Sequence, residues 1–485
     1  MNLQADILIL GAGAAGLMAA VAAGESALAA GRRRRILLVE KNRQAGIKVL
    51  VCGGGRGNLT NAGDRAGLLA CFGREGRWLA DAFDRLDNAA VCALFARLGV
   101  PTKTEDDGRI FPVSDKARDL VDALVRRATE LGVEIVTGYA AAELLTAPSL
   151  RPSPSEGRGG TEHRVAGAVL VPADTPVPGR SDGAHLPAKW RRFDPATWGH
   201  TQAQSTAEEL AERHADQRIA VAAGAVILAV GGASYVRMGT TGDGYRMAEA
   251  LGLTVVPPRP AIVPLVTVDD WGQALAGVAV PDAAVTIDLP RHRKQPSRGD
   301  LLFTHFGLSG PAALNLSDTV ALLLQQGVTP VPLRLDLVPG RAAEELDAAL
   351  RTAASAEGKR QVKTWLGRHV PERLAEFLLA EAGAAADVTL GQLPREARLA
   401  LVERCKRRPV AVHNTKGMAQ AMVTGGGVPV REVDPKTMES RRAAGLYPVG
   451  EVLDLTGPSG GYNLQIAWST GWVAGESAER ALGEG

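Results

Sequence analysis

The chain has 485 residues, of which 46% are hydrophobic and 22% charged, and its formal net charge is +2. This composition is typical of a soluble globular protein with two or three domains, and it excludes a chain whose overall charge draws it to nucleic acid or membrane. The four cysteines form no CxxC pair and no metal-ligand spacing, which predicts a reducing compartment and no metal site. The first apolar run starts almost at Met1, and no uncharged apolar run could span a bilayer. We therefore expect no signal peptide, no membrane contact and a cytoplasmic protein.

The first stretch of the chain predicts a dinucleotide-binding unit. An apolar run over residues 5–10 leads into a glycine turn, a run of small residues and a second apolar run that ends at Glu40. In a strand–turn–helix of this kind, Gly11 permits the turn, Gly13 lets the backbone approach a pyrophosphate, and Gly16 allows close helix packing. The helix start offers free N–H groups to phosphates, and Glu40 is placed to bind a ribose hydroxyl. The alternative is a glycine-rich turn in another α/β sheet.

A second glycine-rich segment, GIKVLVCGGGRGNLTN, follows Glu40. Consecutive glycines at 53–55 are costly in backbone entropy, which favours close approach to a ligand over a flexible surface loop. Lys48 and Arg56 would supply positive charge to phosphates, and Asn58 would supply directional hydrogen bonds, as would Thr60 and Asn61.

Residues 147–217 are rich in Pro, Gly and Arg around one short apolar piece, VAGAVLV. We interpret them as a β-hairpin that carries a long, partly disordered insertion. Four of the eight histidines fall in this segment and are therefore discounted as catalysts. A buried strand over 220–230 follows and ends at Gly231 and Gly232, where the chain is expected to return to the cofactor.

The remaining chain predicts three segments. Short alternating strands over 264–339 indicate a β-rich domain, and helical periodicity over 341–408 indicates an all-helical insert. The last block contains a strand that ends at Gly450 and Glu451, a glycine loop, and a helix from Leu464 onward. A glycine loop at a helix start again favours an anionic or carbonyl-rich ligand group, so the two ends of the chain are expected to meet at one ligand.

These motifs resemble a known flavoprotein family. GAGAAG with Glu40, AVILAVGG and GLYPVGEVLDLTGPSGGYNLQIA are similar to a two-dinucleotide-fold flavoprotein. GIKVLVCGGGRGNLTN, GRIFPVSDKA, GTTGDGYRMAEALG, FTHFGLSGPAALNLS and VTGGGV resemble the BaiN/YhiN/RdsA family of FAD-dependent oxidoreductases, also called aminoacetone oxidase-like. The match runs through most of the chain except about 147–217.

The resemblance implies an α/β fold in which a Rossmann-like FAD-binding domain carries an inserted β-barrel-like domain and a helical insert. The implied boundaries are 1–262 and 413–485 for the FAD-binding domain, 263–340 for the β-rich insert and 341–412 for the helical insert. The implied cofactor-binding residues are Gly11, Gly13, Ala14 and Gly16 at the pyrophosphate; Glu40 and its neighbour Lys41 at the adenosine ribose; Lys48, Gly53, Gly54, Gly55, Arg56 and Asn58 beside phosphates and flavin; Gly231 and Gly232 after the central strand; Gly450 and Glu451 at the ribityl chain; and Gly461, Asn463 and Gln465 at the isoalloxazine end.

The chain departs from the family at one informative place. The family's glycine loop usually reads SGGGRCN, whereas this chain has Cys52 in place of the serine and Gly57 in place of the cysteine. If the family cysteine is the proton donor, this chain lacks that donor at position 57, and Cys52 is at best a shifted substitute. His305, which lies in a glycine-flanked motif, is the preferred general acid, with a backbone-bonded structural histidine as the equal alternative. Cys52 and Tyr462 are weaker candidates.

We expect hydride transfer from reduced FAD, fed by NAD(P)H, to a C=C or C=N bond. The resemblance leaves three substrate classes open: uridine in ribosomal RNA, small enones of bile-acid type, and amines oxidised by O₂. A non-catalytic flavin-binding RNA or redox module is a further alternative. Contact with ribosomal RNA would use the basic clusters at 32–35, 291–298 and 406–408, although the aromatic content of 4% argues against extensive base stacking.

Overall fold

The structure, a computed structural model, describes residues 2–148, 163–173, 218–269 and 271–483. The chain divides into two compact units. We call residues 1–258 with 423–485 the sheet unit, and residues 259–422 the barrel unit. The boundaries expected from the sequence were 262/263 and 412/413. Most of the predicted insertion at 147–217 falls on residues 149–162 and 174–217, which lie outside the described residues.

Short strands run through both units. In chain order they are β1 (Asn2–Leu10), β2 (Ile36–Glu40), β3 (Thr60–Asn61), β4 (Thr102–Thr104), β5 (Arg109–Pro112), β6 (Glu134–Thr137), β7 (Tyr139–Pro148), β8 (His163–Pro172), β9 (Ile219–Leu228), β10 (Val256–Ala261), β11 (Leu265–Thr267), β12 (Ala279–Ile287), β13 (Ser297–Thr304), β14 (Gly307–Ser309), β15 (Val331–Asp336), β16 (Arg408–Thr415), β17 (Val423–Gly427), β18 (Ala443–Ala444) and β19 (Leu446–Pro448).

The helices are α1 (Ala14–Ala29), α2 (Ile47–Leu50), α3 (Arg65–Ala70), α4 (Gly76–Arg85), α5 (Asn88–Arg97), α6 (Ala117–Glu130), α7 (Asp243–Ala250), α8 (Gly272–Leu275), α9 (Pro311–Leu314), α10 (Ser317–Gln325), α11 (Ala343–Ala356), α12 (Val362–Leu366), α13 (Glu372–Glu381), α14 (Arg395–Lys406) and α15 (Tyr462–Ala481). Single 3₁₀ turns occur at Cys52–Gly55, Val236–Met238, Val430–Glu432 and Gly450–Val452.

The sheet unit is built on parallel strands in the order β6–β2–β1–β9–β19. β8 joins β9 antiparallel, β7 joins β8, and β18 pairs with β8. The second half of β1 (7–10) and all of β9 are apolar, as expected for parallel strands that are covered on both faces, and Ile9 and Ile227 are fully buried in neighbouring positions. Parallel strands with helical crossovers place the turn after β1 at the carboxyl edge of the sheet, where such folds bind ligands.

Helices α1 and α15, from opposite ends of the chain, pack closely together. A Cβ atom placed on Gly471 or Gly475 would lie only 2.3 Å from the carbonyl oxygen of Ala15 or Ala19. Small residues therefore allow the two backbones to approach, and larger side chains on α15 at these positions would separate them. This contact joins the first and last segments of the chain into one unit.

The barrel unit contains a closed antiparallel barrel in the order β11–β14–β13–β12–β15–β16. Alternation along β15 places Leu333 and Leu335 inside, while Arg334 and Asp336 face outward and are partly exposed. Helices α11 to α14 lie between β15 and β16 in sequence, and their buried leucines share one core with barrel residues such as Phe303. The predicted helical segment is thus present, and β16 closes the barrel after it.

The α/β class, with its Rossmann-like sheet, barrel and helical segment, is confirmed. No described helix combines the length and apolar character that a bilayer crossing requires. Across the described ranges, His, Cys, Asp and Glu side chains form no group of three or more that could hold a metal ion.

Candidate active site

The three glycines of the turn after β1 have different surroundings. Gly11 has φ of +98°, and a Cβ there would lie 2.5 Å from the carbonyl oxygen of Ala229. A Cβ on Gly16 would lie 1.8 Å from the Gly11 oxygen. A Cβ on Gly13, by contrast, would meet nothing within 4 Å. Gly11 and Gly16 are therefore required for packing, whereas Gly13 faces open space.

The start of α1 has the properties of an anion site. Gly13 is the N-cap, and no side chain caps the helix. The first helical hydrogen bond runs from the Leu17 N–H to the Gly13 oxygen at 3.0 Å. The N–H groups of the first turn, including those of Ala14 and Ala15, therefore have no intrahelical acceptor and carry the positive end of the helix dipole.

Glu40 ends β2 and is 7% exposed. One carboxylate oxygen accepts a 2.8 Å hydrogen bond from the Ala12 N–H, and the other accepts 2.8 Å bonds from the backbone and side-chain nitrogens of Asn42. A carboxylate has about four acceptor positions, so Glu40 can also accept a bond from a ribose hydroxyl. Glu40 thus has a structural task, holding the glycine turn against the next loop, that the sequence did not predict.

Lys48 and Glu451 form an ion pair across 403 positions of sequence. The Lys48 Nζ donates to Glu451 Oε2 at 2.5 Å and to Ser234 Oγ at 2.8 Å. The other Glu451 oxygen accepts from Ser234 Oγ at 2.8 Å and from the Thr424 N–H at 2.9 Å. Both charged side chains are 19% exposed. The network therefore joins four distant segments at one partly buried point.

The remaining predicted glycines pack against the same region. A Cβ on Gly232 would lie 2.5 Å from Thr424 Oγ1, and the Gly450 N–H donates to Thr470 Oγ1 at 3.0 Å. Gly231 has φ of +77°. The end of β9 and the segment before α15 lie next to each other in the sheet unit.

Lys41 and Arg56 are both bound to carboxylates. Lys41 Nζ donates to Asp243 Oδ2 at 2.8 Å and to a nearby threonine hydroxyl at 2.6 Å. Arg56 pairs with Glu105 and with Asp115 (2.8 Å), and its guanidinium lies 4.0 Å from the centre of an aromatic ring. Their positive charges are compensated by protein carboxylates, so neither side chain adds a net charge for phosphates.

The glycine loops at the two ends of the chain meet. Gly53, Gly54 and Gly55 follow one another in left-handed conformations, and a Cβ on Gly54 would meet nothing within 4 Å. A Cβ on Gly461 (φ +99°) would lie 2.4 Å from the Thr60 oxygen. With its amide oriented to satisfy its neighbours, Asn58 accepts a 3.0 Å bond from the Gly461 N–H.

Two residues expected at the flavin instead bind the protein itself. Gln465 is 1% exposed; its oxygen accepts from Thr60 Oγ1 at 2.6 Å, and its nitrogen donates to the Leu86 oxygen at 3.0 Å and to Ser469 Oγ at 2.9 Å. Asn463 bonds to the backbone at Gly457 through both ends of its amide. Asn463 therefore orders the loop before α15, and Gln465 ties α15 to the segments at Thr60 and Leu86; a role of either residue at the flavin stays a prediction.

A thiol and a phenol in the sheet unit, those of Cys52 and Tyr462, hold their protons tightly. Burial raises the pKa of the Cys52 thiol to about 11, with opposing contributions from Lys48, which lowers it, and Glu451, which raises it. The Cys52 Sγ donates to the Lys48 carbonyl at 3.3 Å. Burial, followed by a hydrogen bond with Cys71, raises the pKa of Tyr462 to about 12. These groups remain protonated at neutral pH.

Tyr235 is a candidate that the sequence analysis missed. It has a left-handed backbone (φ +52°, ψ +51°), which is uncommon for a bulky residue and clusters at functional sites. Burial, and then the charge of Cys52, raises the pKa of its phenol. Its position shortly after Gly231 and Gly232, where the chain was expected to return to the cofactor, could have identified Tyr235 as a candidate site residue.

His305, the preferred acid, lies in the barrel unit. It is exposed in the turn between β13 and β14, with its ring edge-on to Phe306 at a centroid separation of 4.9 Å.

The arginine cluster at 32–35 is largely neutralised. Arg32 and Arg34 bond to the fully buried carboxylate of Glu479 at 2.7 and 3.4 Å. Arg35 pairs with Glu134 at 2.8 Å. Three of these four arginines therefore bind carboxylates at the edge of the sheet unit.

The basic cluster at 406–408 is held largely by protein groups, and one of its three side chains is exposed. Lys406 is 9% exposed and donates to the Val338 oxygen and to Asp336, both at 2.7 Å. Arg408 is 5% exposed and pairs with Glu381. Arg407 between them is the exposed member. Lys406 and Arg408 are therefore bound to other groups of the barrel unit. The basic run in the sequence does not show this.

The geometry fits the dinucleotide that the resemblance implies. Gly13 leaves open space, the start of α1 lacks a cap, and Glu40 ends the neighbouring strand with acceptor capacity remaining. These are the features that a pyrophosphate and a ribose require at the edge of a parallel sheet.

Comparison with known proteins places the chain in a family. The model of the HI0933-like protein Rossmann domain matches residues 5–149 and 197–477. A 3-dehydro-bile acid delta(4,6)-reductase from Clostridium scindens is 29% identical over 97% of this chain and 98% of its own length. Ribosomal RNA dihydrouridine synthases are 30% identical in Escherichia coli, over 97% of both chains, and 28% identical in Haemophilus influenzae, over 99% of this chain and 100% of the relative. The chain therefore belongs to the HI0933-like Rossmann family, a family of FAD-dependent oxidoreductases.

Proposed function

We propose that this protein is a reductase that adds hydrogen across the C=C bond of uridine in ribosomal RNA, with FAD as its cofactor and NAD(P)H as electron donor. The observation that carries the proposal is the full-length similarity to two relatives named ribosomal RNA dihydrouridine synthase. The open glycine turn, which suits a dinucleotide, supports the cofactor.

In this proposal the sheet unit holds FAD. The turn of Gly11, Gly13, Ala14 and Gly16 would bind the pyrophosphate, and Glu40 would bind the adenosine ribose. Lys48 and Glu451 would border the ribityl chain and flavin, together with the loop around Gly54. Lys41, Arg56, Asn463 and Gln465 would act indirectly, because each already binds protein groups.

When bound and reduced, the flavin supplies a hydride to an electron-poor carbon. The chain must supply the proton that completes the addition, from a group that holds it at neutral pH. Cys52 and Tyr235 meet that requirement within the sheet unit, since burial raises both pKa values. We propose Cys52 as the donor, with Tyr235, Tyr462 and His305 as the competing assignments.

A small enone is the second candidate substrate. The Clostridium scindens relative, named as a bile acid reductase, favours it. A uracil ring and an enone both present a C=C bond conjugated to a carbonyl, so one set of side chains can serve either reaction. The two candidate substrates differ in size and charge, because RNA is a large polyanion and the enone is a small molecule.

Anaerobic stopped-flow mixing tests both the donor and the acceptor. The FAD-loaded protein is mixed with NADH or NADPH, and the flavin absorbance is followed; rapid bleaching supports a nicotinamide donor. Reduced protein is then mixed with deproteinised ribosomal RNA, with cyclohexenone, or with an amine control. Reoxidation by RNA with dihydrouridine formation supports the proposal, whereas reoxidation by the enone alone selects the second candidate. No bleaching by either nucleotide contradicts the donor assignment.

A further inference from the structure

A cleft of about 450 Å³ lies on the outer surface of the barrel, and five of its eleven lining residues are cations. Its lining contains Arg293, Arg298, Arg334, Lys406 and Arg407, with Asp336 as the one carboxylate among the lining residues. The whole chain, by contrast, has 55 basic and 53 acidic residues. Positive charge is therefore concentrated at this cleft and does not follow from the composition.

The strand register explains the shape of the cleft. On β12, Ala284 and Thr286 are two residues apart and face outward, and both are small and buried at the floor. Ala284 lies opposite Arg298 on β13 and opposite Asp336 on β15, and Thr286 lies opposite Arg334 on β15. Small floor residues between long basic ones produce a groove with guanidinium groups on both rims.

The cations differ in how firmly they are bound. Lys406 is buried and held by Asp336. Arg293, Arg298 and Arg407 pair with Asp288, Asp282 and Glu403, respectively. These three arginine side chains are 53–58% exposed, and their carboxylate partners do not line the cleft. Exposed ion pairs are weak, so an incoming phosphate can replace those carboxylates.

Arg334 is the distinctive member. It lies on β15 and lines the cleft, and within the described ranges it forms neither an ion pair nor a side-chain hydrogen bond. Arg291 and Lys294 lie in the turn before β13 that also carries Arg293, and both are exposed without an ion pair among described residues. The cleft thus has positive charge that the protein itself does not compensate.

From this arrangement we infer that the cleft binds the phosphodiester backbone of RNA, an inference that rests on the proposed function. Guanidinium groups bind phosphate oxygens in pairs, which suits a cleft in which four of five cations are arginines. No aromatic or large aliphatic side chain lines the cleft, so it lacks the apolar anchor typical of a protein interface or of membrane insertion. The cleft positions RNA by its backbone and reads no bases.

The test measures RNA affinity of the full-length, FAD-loaded protein by fluorescence anisotropy. The probe is a labelled single-stranded RNA, displaced by deproteinised ribosomal RNA, at several salt concentrations. The test variant carries Arg298→Gln, Arg334→Gln and Arg407→Gln. The control variant carries Arg351→Gln, Arg360→Gln and Arg368→Gln, three arginines of the same unit that form ion pairs outside the cleft.

We expect the test variant to bind RNA at least about tenfold more weakly, with the salt slope reduced by about 2, or about 0.7 per lost phosphate contact. The control variant should bind like the unmodified protein, and all three proteins should reduce cyclohexenone or bleach with NAD(P)H equally. If the test variant binds RNA as tightly as the unmodified protein, the cleft is not the RNA site, and the proposed function is unaffected. RNA binding that depends on the cleft but yields no dihydrouridine overturns the proposed function alone. Binding to anionic phosphatidylglycerol vesicles or to an acidic protein in place of RNA overturns the inference.

Discussion

Replacing Gly13 and Gly16 separately distinguishes a ligand-facing glycine from a packing glycine. Gly13 has φ of −77°, which alanine adopts readily, and its Cβ would meet nothing within 4 Å. We therefore expect Gly13→Ala to change the free energy of unfolding of the apoprotein by no more than about 1 kcal/mol. The new methyl group would occupy the space assigned to the pyrophosphate. FAD affinity should fall at least about tenfold, or about 1.4 kcal/mol.

Gly16→Ala should behave in the opposite way. Its Cβ would lie 1.8 Å from the Gly11 oxygen, a backbone atom that cannot move aside without disturbing the turn. Overpacking costs about 1–3 kcal/mol even where side chains can adjust, so we expect about 3 kcal/mol or more here. Apoprotein unfolding in urea and FAD titration by flavin fluorescence measure the two quantities. Gly340→Ala is the control, because its Cβ also meets nothing within 4 Å and Gly340 lies in the barrel unit. Unchanged FAD affinity in Gly13→Ala would refute the reasoning.

Three further predictions concern buried charge and thiols. Because both side chains of the Lys48–Glu451 pair are about a fifth exposed, Lys48→Met or Glu451→Gln should each cost about 1–3 kcal/mol of unfolding free energy, and the double variant less than the sum; additive losses in urea titrations would contradict the pairing. Since burial raises the pKa of Cys52 to about 11, iodoacetamide should label exposed Cys71 at neutral pH and Cys52 only as the pH approaches 11; equal labelling by mass spectrometry would disprove this. Burial would raise the pKa of Glu479, but hydrogen bonds from arginine and serine leave it lowered. Its stabilisation is therefore present above about pH 4.3, where the unfolded carboxylate is ionised, and is lost as the pH falls through the lower folded value. In Glu479→Gln, the free energy of unfolding in urea should fall less steeply as the pH is lowered below about 4.3. The same steepness as in the unmodified protein would argue against this role.

The parts of the fold that could be predicted are those defined by hydrophobic periodicity and turn residues within a short stretch of sequence. The strands on either side of the first glycine turn and the helices between β15 and β16 follow from periodicity and turn residues. The open position of Gly13 and the packed position of Gly16 agree with the tasks that the motif assigns. Because these features depend on residues that are close in sequence, they can be predicted from the sequence alone.

The rest depends on contacts between distant residues. The sequence does not show that Lys48 pairs with Glu451, that Gln465 is 1% exposed, or that Lys406 is held inside the barrel unit. A polar side chain in a helical or basic run has the same letter whether it faces solvent, ligand or protein. The left-handed backbone of Tyr235 is equally invisible, because no glycine marks it.

The central claim is that the reduced, FAD-loaded protein transfers hydrogen to uridine in RNA. The direct measurement is a single anaerobic turnover, in which protein reduced with dithionite is mixed with deproteinised ribosomal RNA. Flavin absorbance is followed, and the RNA is then digested for mass spectrometry. The account predicts flavin reoxidation with one dihydrouridine formed per flavin reoxidised, at a slower rate in Cys52→Ser. Flavin that stays reduced in the presence of RNA, and is reoxidised only when oxygen or an enone is added, would contradict it.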